Sequence, residues 1–268
     1  MKSYFSLTTP DYMPGAICLI NSLKKHSEIP ITIMGLDLNS DEKSLLERLG
    51  ASVVEVPKIT SKLAKVFSFH KNEDFCQNCF CKLNMWNMTE YDKIVYLDSD
   101  ITVLKNIDCM FETNSDFSAC SSLVVSIDIS GFREHPSFKE GARISEIPKQ
   151  FLKASYNDDH FNAGVLVLKP SKEKYKKMMS LKDAIGKGGH GDQGFLNEYF
   201  KGRWNKLDYK FNYSRRHYEM WPEDFEEDIK DISVLHFTGA DDNPWDKKPE
   251  NQIERIWWSN FDPEKYDE

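Results

Sequence analysis

Four short runs rich in β-branched and aromatic residues, "KSYFSL" (2–7), "ITIMGL" (31–36), "ASVVEV" (51–56) and "KIVYL" (93–97), are separated by segments with helical spacing. In "GAICLINSLKKHS" (15–27), Ala16, Leu19, Ile20 and Leu23 share one stripe. Ser40 stands as the cap of a second helix, "DEKSLLERLG", which Gly50 terminates. Residues 75–89 predict a third. Such alternation argues for a mostly parallel sheet covered by helices.

Further strands are expected at "FSACSS" (117–122), "AGVLVLKPS" (163–171) and "ISVLHFTG" (232–239). Residues 124–160 between them are polar and aperiodic, and read as a long excursion, a lid or an acceptor-side insertion. A Gly-rich loop enters a helix over 186–200, and the tail begins as a short aromatic helix. With 268 residues and no repeat or linker, one domain is the simplest organisation.

The formal charge of −8 argues against a nucleic-acid partner, whose phosphates would be repelled. No run of about 18 apolar residues is present, so no membrane span is expected. The start, "MKSYFSLTTPDY", lacks the apolar stretch of a secretory signal, so a cytoplasmic location is expected. In such a compartment six cysteines do not predict disulfides. "FCQNCFCK" invites structural zinc on Cys76, Cys79 and Cys81, with His70 as a fourth ligand. Against that, Phe75, Cys79, Leu83 and Trp86 fall on one helix face, where thiols pack as small hydrophobes. The buried-thiol reading is preferred.

Asp98 and Asp100 follow "KIVYL" directly, at the strand end where open α/β sheets bind ligands. Because side chains alternate along extended backbone, Ser99 lets both carboxylates face one point. Two such charges call for a cation, and a hard one, Mg²⁺ or Mn²⁺, accepts oxygen ligands and leaves room for phosphates. Alone, the pair also fits turn-capping carboxylates. A phosphatase would carry its pair after the first strand, and a nicotinamide dehydrogenase a Gly-rich first turn; "YFSLTTPDYMPG" supplies neither.

The blocks "LTTPDYMPGA", "CKLNMW", "YLDSDITVLKNID", "FNAGVLVLKPS", "GHGDQGFLN" and "VLHFTG…PW", in this order, closely resemble glycosyltransferase family 8, glycogenin-like members in particular. The resemblance spans roughly residues 3–245 with a gap over 124–157. It implies a single-domain nucleotide-sugar transferase (GT-A-like) α/β fold, with a Rossmann-like N-terminal half and a mixed central sheet. The nucleotide-binding half would run to about 122 and the acceptor half over 123–250, before a short tail. It further implies a UDP-hexose donor (UDP-glucose or UDP-galactose), Mn²⁺ with Mg²⁺ as a substitute, and transfer with retention of the α configuration.

Residue by residue, the resemblance implies a metal held by Asp98, Asp100 and His236, with Ser99 in the same donor-binding motif. Leu7, Thr9 and Tyr12 would cradle uracil. Lys82, otherwise a lone lysine free to snorkel from an apolar helix, would approach the donor sugar and phosphates. Asn162, Ala163 and Gly164 would hold sugar hydroxyls, Gly164 permitting close backbone approach. Asp192 would orient the sugar, Gln193 would sit beneath the anomeric carbon, and the Gly239 N–H would face phosphate.

The chain departs from the family pattern in places. Pro10 replaces a uracil-side Asn, and Asn243 stands where a diphosphate-binding Lys precedes "PW", leaving Lys247 or Lys248 as substitutes. A donor-sugar Asp has three candidates, Asp128, Asp158 and Asp159. Tyr213 and Tyr218 are candidate self-glycosylation sites. The alternative acceptor is a glycan or glycoprotein, with Trp221, Trp257 and Trp258 shaping its cleft. A homodimer through 151–160 and the tail fits the family, and a non-catalytic sugar-binding module is the competing function.

Overall fold

A computed structural model describes residues 1–62, 73–139, 147–185, 191–239, 243–263 and 266. The N-terminal half is β1 (Lys2–Thr8), α1 (Met13–Lys24), β2 (Ile31–Gly35), α2 (Ser40–Arg48), β3 (Ser52–Glu55), α3 (Glu73–Phe80), β4 (Lys93–Leu97) and β5 (Ile101–Val103). The remainder is β6 (Phe117–Ile127), α4 (Ile129–Arg133), β7 (Leu152–Leu168), α5 (Lys172–Leu181), α6 (Gly191–Tyr199), β8 (Asn205–Leu207), β9 (Tyr213–Ser214), α7 (Arg215–Met220), α8 (Phe225–Asp228), β10 (Val234–His236) and α9 (Gln252–Trp258).

The main sheet has the order β3-β2-β1-β4-β7-β6-β8. β3, β2, β1 and β4 run parallel, as the alternating sequence requires, whereas β7 is antiparallel to both β4 and β6. The fold is therefore α/β with a mixed central sheet. Each strand feeds two cores, because its side chains alternate in direction. Val95 and Leu97 pack with α1 residues Ile17 and Ile20, and Ile94 and Tyr96 pack with Phe195 and Leu196 of α6.

The second sheet, β5-β10-β9, positions the metal candidates. β5 begins immediately after Asp100, and β10 pairs with it antiparallel, placing His236 opposite Ile101. The Phe237 N–H also donates to the Asp100 carbonyl at 2.9 Å. Two chain-distant segments are thus stitched together at the residues that matter.

Several local expectations change. Asn39, not Ser40, caps α2: its Oδ1 accepts from the Asp41 and Glu42 N–H groups, while the Glu42 carboxylate accepts from the Asn39 N–H. The proposed 75–89 helix tightens to 3₁₀ geometry over Cys81–Asn87. The strand expected over 232–239 covers only Val234–His236. At the two ends of the excursion 124–160, β6 reaches Ile127 and β7 starts at Leu152, giving a two-stranded arm. Its base is irregular: Ser121 pairs with Phe161 but Ser122 with Asn157, so Asp158–His160 bulge from the ladder.

Cys81 is buried and its Sγ accepts from the Ile59 N–H, whereas Cys76 and Cys79 are half-buried rather than enclosed. His70 and the Gly-rich residues 186–190 lie outside the described residues, as does the Phe75 side chain. No helix among the described residues is long and apolar enough to cross a membrane.

Candidate active site

Asp98 and Asp100 leave the carboxyl end of β4, and β10 brings His236 to them. One ligand atom from each lies within 4.8 Å of the other two, the only such group of three among the described residues. His236 Nε2 is 3.2 Å from Asp100 Oδ1 and 3.9 Å from Asp98 Oδ2. Gly164 lies behind this cluster. A Cβ there would come within 2.9 Å of both Asp98 Oδ2 and His236 Nδ1, so the site closes only over a glycine. The Asp98 N–H donates to the Gly164 carbonyl at 2.8 Å, fixing β4 against β7 at this point.

Beside the cluster, Lys82 is buried, and its Nζ contacts Asp192 Oδ2 at 2.8 Å and Asp98 Oδ1 at 3.2 Å. It also donates to the Ala163 carbonyl at 3.2 Å and lies 4.9 Å above the Tyr96 ring. Lys82 does not snorkel to solvent: the two carboxylates replace its hydration. The Tyr96 hydroxyl donates to Asp98 Oδ1 at 2.6 Å. Tyr96 stands two residues before Asp98, so the period of a strand predicts this shared face, although the sequence reading passed over it. Asp192 lies in the first turn of α6, and its neighbour Gln193 accepts from the Ala163 N–H (3.1 Å) and from Asn162 Nδ2 (3.2 Å).

Burial sets the ionisation of these groups, and local charge then corrects it. Burial alone would lower the His236 pKa, but the Asp100 carboxylate outweighs it and holds the imidazole above its usual range. Asp100, penalised by burial, is nonetheless held below its ordinary value by His236. Asp192 is pushed up by burial, with Lys82 offsetting only part of that. For Lys82 the balance reverses, since Asp192 and Asp98 raise its pKa well above normal despite burial.

The nucleotide-side candidates lie at the end of β1, next to β4. Tyr12 is half-buried, edge-on to Trp245 at 5.4 Å. Burial, with the Asp100 charge next, holds its hydroxyl well above the usual range. Leu7 is half-buried against the core cluster that includes Phe5 and Met34, and Thr9 precedes the Pro10–Tyr12 turn. Gly15 allows α1 to reach the same point, since a Cβ there would lie 2.5 Å from the buried Ser99 carbonyl. Gly239 adopts φ +126° beside the Arg215 guanidinium, which donates to the Thr238 carbonyl at 3.1 Å.

Other candidates lie elsewhere. Lys247 contacts Glu250 at 3.4 Å and Glu254 of α9 at 3.5 Å. Asp128 caps α4 through the Gly131 N–H, and Asp158 pairs with Lys206. Tyr213 is fully buried, its hydroxyl donating to Asp228 at 3.0 Å, which removes it from the exposed acceptor candidates. Trp257 is a core residue of the α9 cluster rather than a cleft wall.

A strand-end Asp-x-Asp faced by a histidine lies on a sheet that is parallel in its first half and mixed beyond, a fold shared with solved glycosyltransferases. The structure of glycosyltransferase GlyE from Streptococcus pneumoniae TIGR4 superposes with a TM-score of 0.63 at 19% identity, covering 98% of this chain and 61% of that one. The family model for glycosyl transferase family 8 matches residues 5–248, and the chain belongs to that family. Among curated relatives, glycogenin of Neurospora crassa is 26% identical over 97% of this chain, and galactinol synthase 2 of Solanum lycopersicum is 24% identical over 96%. The chain spans 34% of the Neurospora protein and 78% of the tomato one.

Proposed function

We propose that this chain is a metal-dependent, retaining hexosyltransferase that moves glucose or galactose from a UDP-sugar to a glycan or protein acceptor. The observation that carries the reading is the convergence of Asp98, Asp100 and His236 on one point, with Lys82 and Asp192 alongside. The donor set fits a divalent cation: two carboxylates and one imidazole nitrogen in a pocket that a Cβ at position 164 would fill. Such a mixed set suits Mn²⁺ better than Mg²⁺. When bound, the ion would offset charge on the diphosphate as UDP departs.

The chain's own groups divide the remaining work. Lys82 supplies a fixed positive charge in a dry setting, and Asp192 holds it in place while accepting from sugar hydroxyls. Gln193, with its carbonyl oxygen pinned by two donors, supports the cation-like anomeric carbon that sugar transfer creates. Tyr12 and Leu7 form the nucleobase side, and Asn162 a sugar-binding wall.

UDP release across a panel of UDP-sugars, with Mn²⁺ and then with chelator, tests the proposal. Metal-dependent release with at least one donor supports it, and no release with any donor overturns it. The competing reading, a sugar-binding module without turnover, draws on Asn243. Donor binding without release would support that reading. For self-glycosylation, Tyr218, half-buried against Phe225, is the better-placed tyrosine. Hexose increments in intact mass that vanish in Tyr218→Phe would establish it.

A further inference from the structure

Asn212, which the sequence reading did not single out, joins the metal cluster to the sugar-binding wall. Its Nδ2 lies 2.9 Å from Asn162 Oδ1, and its Oδ1 lies 2.8 Å from His236 Nδ1. Which end of each amide faces which partner follows from groups that can only donate. The Gly164 N–H lies 2.9 Å from Asn162 Oδ1, so that atom is an acceptor. Asn212 must then present its NH₂ to Asn162 and its carbonyl to His236. An acceptor facing Nδ1 requires a proton there. At the other end, the Ala163 N–H fixes Gln193 Oε1 as an acceptor, and Asn162 Nδ2 donates to it. Two backbone N–H groups on β7 therefore orient three amides and one imidazole.

We propose that Asn212 is a positioning residue for the metal centre: it holds His236 as the Nδ1–H tautomer, so that Nε2 is the nitrogen offered to the cation. The inference rests on the metal reading of Asp98, Asp100 and His236. Histidine ligands commonly donate their second ring N–H to a fixed acceptor, which sets ring orientation and raises ligand basicity. Here the acceptor belongs to a relay that ends at Gln193, so the metal ligand and the sugar-facing residues form one hydrogen-bonded unit. Displacing the relay at one end shifts the other.

The tautomer is read by long-range ¹H–¹⁵N correlation on the protein loaded with diamagnetic Mg²⁺, because without an ion the Asp100 carboxylate, 3.2 Å from Nε2, competes for the same proton; the signal is assigned by its loss in His236→Gln. The expected result is a proton on Nδ1. Mn²⁺ affinity is then followed by electron paramagnetic resonance of the free ion. Asn212→Ala is expected to weaken Mn²⁺ binding about 10–100-fold and, without the ion, to leave the proton on Nε2 facing Asp100. Asn212→Asp keeps an acceptor on Nδ1, although its second oxygen faces Asn162 Oδ1 where an NH₂ stood, and should bind Mn²⁺ more tightly than Asn212→Ala does. A proton on Nε2 in the unaltered protein overturns the proposal, as does equal weakening in both variants. If Asn212→Ala does not fold, the tautomer still decides. An Nδ1–H tautomer in a protein that binds no Mn²⁺ overturns the metal role while leaving the hydrogen-bond assignment intact.

Discussion

Lys82 and Asp192 meet at 2.8 Å with both side chains more than 90% out of solvent. One comes from the 3₁₀ turn after α3 and the other from the first turn of α6, so the contact couples two elements across the floor of the site. A buried pair of this kind adds little over an apolar substitute, but breaking it strands a charge. Asp98, 3.2 Å from the same ammonium, makes the arrangement a three-centre unit.

Lys82→Met should therefore destabilise the fold by about 3–5 kcal/mol in urea unfolding, because two carboxylates lose their cation. Lys82→Met with Asp192→Asn should cost less than the sum of the single changes, by about 1 kcal/mol or more. Strict additivity would show that the two groups do not depend on one another.

Gly164→Ala places a methyl group against His236 and 2.9 Å from Asp98 Oδ2. Overpacking should cost about 1–3 kcal/mol of stability. It should also weaken Mn²⁺ binding by displacing both side chains. Unchanged metal affinity would show that the cluster is not closed over this glycine.

The His236–Asp100 pair carries a pH signature. His236, held above its usual 6.5, contributes stability that is complete below that value and fades as pH rises through its raised pKa. Asp100, held below its usual 3.8, contributes stability that is complete above that value and lost as pH falls through its lowered one. The Tm difference between the metal-free protein and His236→Gln should thus be greatest between pH 3.8 and 6.5 and shrink toward pH 9. Added Mn²⁺ should act oppositely, raising Tm more as pH rises, because the ion and the proton compete for Nε2. Calorimetry across pH reads both trends, and a flat difference would contradict the pairing.

Asn39→Ala should cost about 1 kcal/mol through loss of the α2 cap. Ser40→Ala should stay within about 0.5 kcal/mol. Equal effects would return the cap to Ser40.

The capping result shows what was legible locally. Asn39 and Ser40 are both good cap residues, and the decisive signal was Glu42, three positions after Asn39, which completes a reciprocal capping box. The β1–β4 half was readable because each element is defined by a few neighbouring residues. The β6–β7 arm was not: Lys153, Asp158, Asp159 and His160 are exposed, so no clean alternation marks the strand, and its partner lies across an irregular register. Asp98 and Asp100 were visible from strand period alone. His236 emerged only from the order of family blocks, since its pairing depends on β5 and β10 meeting. Asn212 sits in "KFNYS", where the surrounding aromatics drew attention to an acceptor loop instead.

The most direct measurement of the central claim is anomalous scattering at the manganese edge from crystals grown with Mn²⁺ and UDP. The account predicts one strong peak at coordination distance from Asp98, Asp100 and His236 Nε2, absent in Asp100→Asn. A fully occupied peak elsewhere, with these three side chains left uncoordinated, would contradict it.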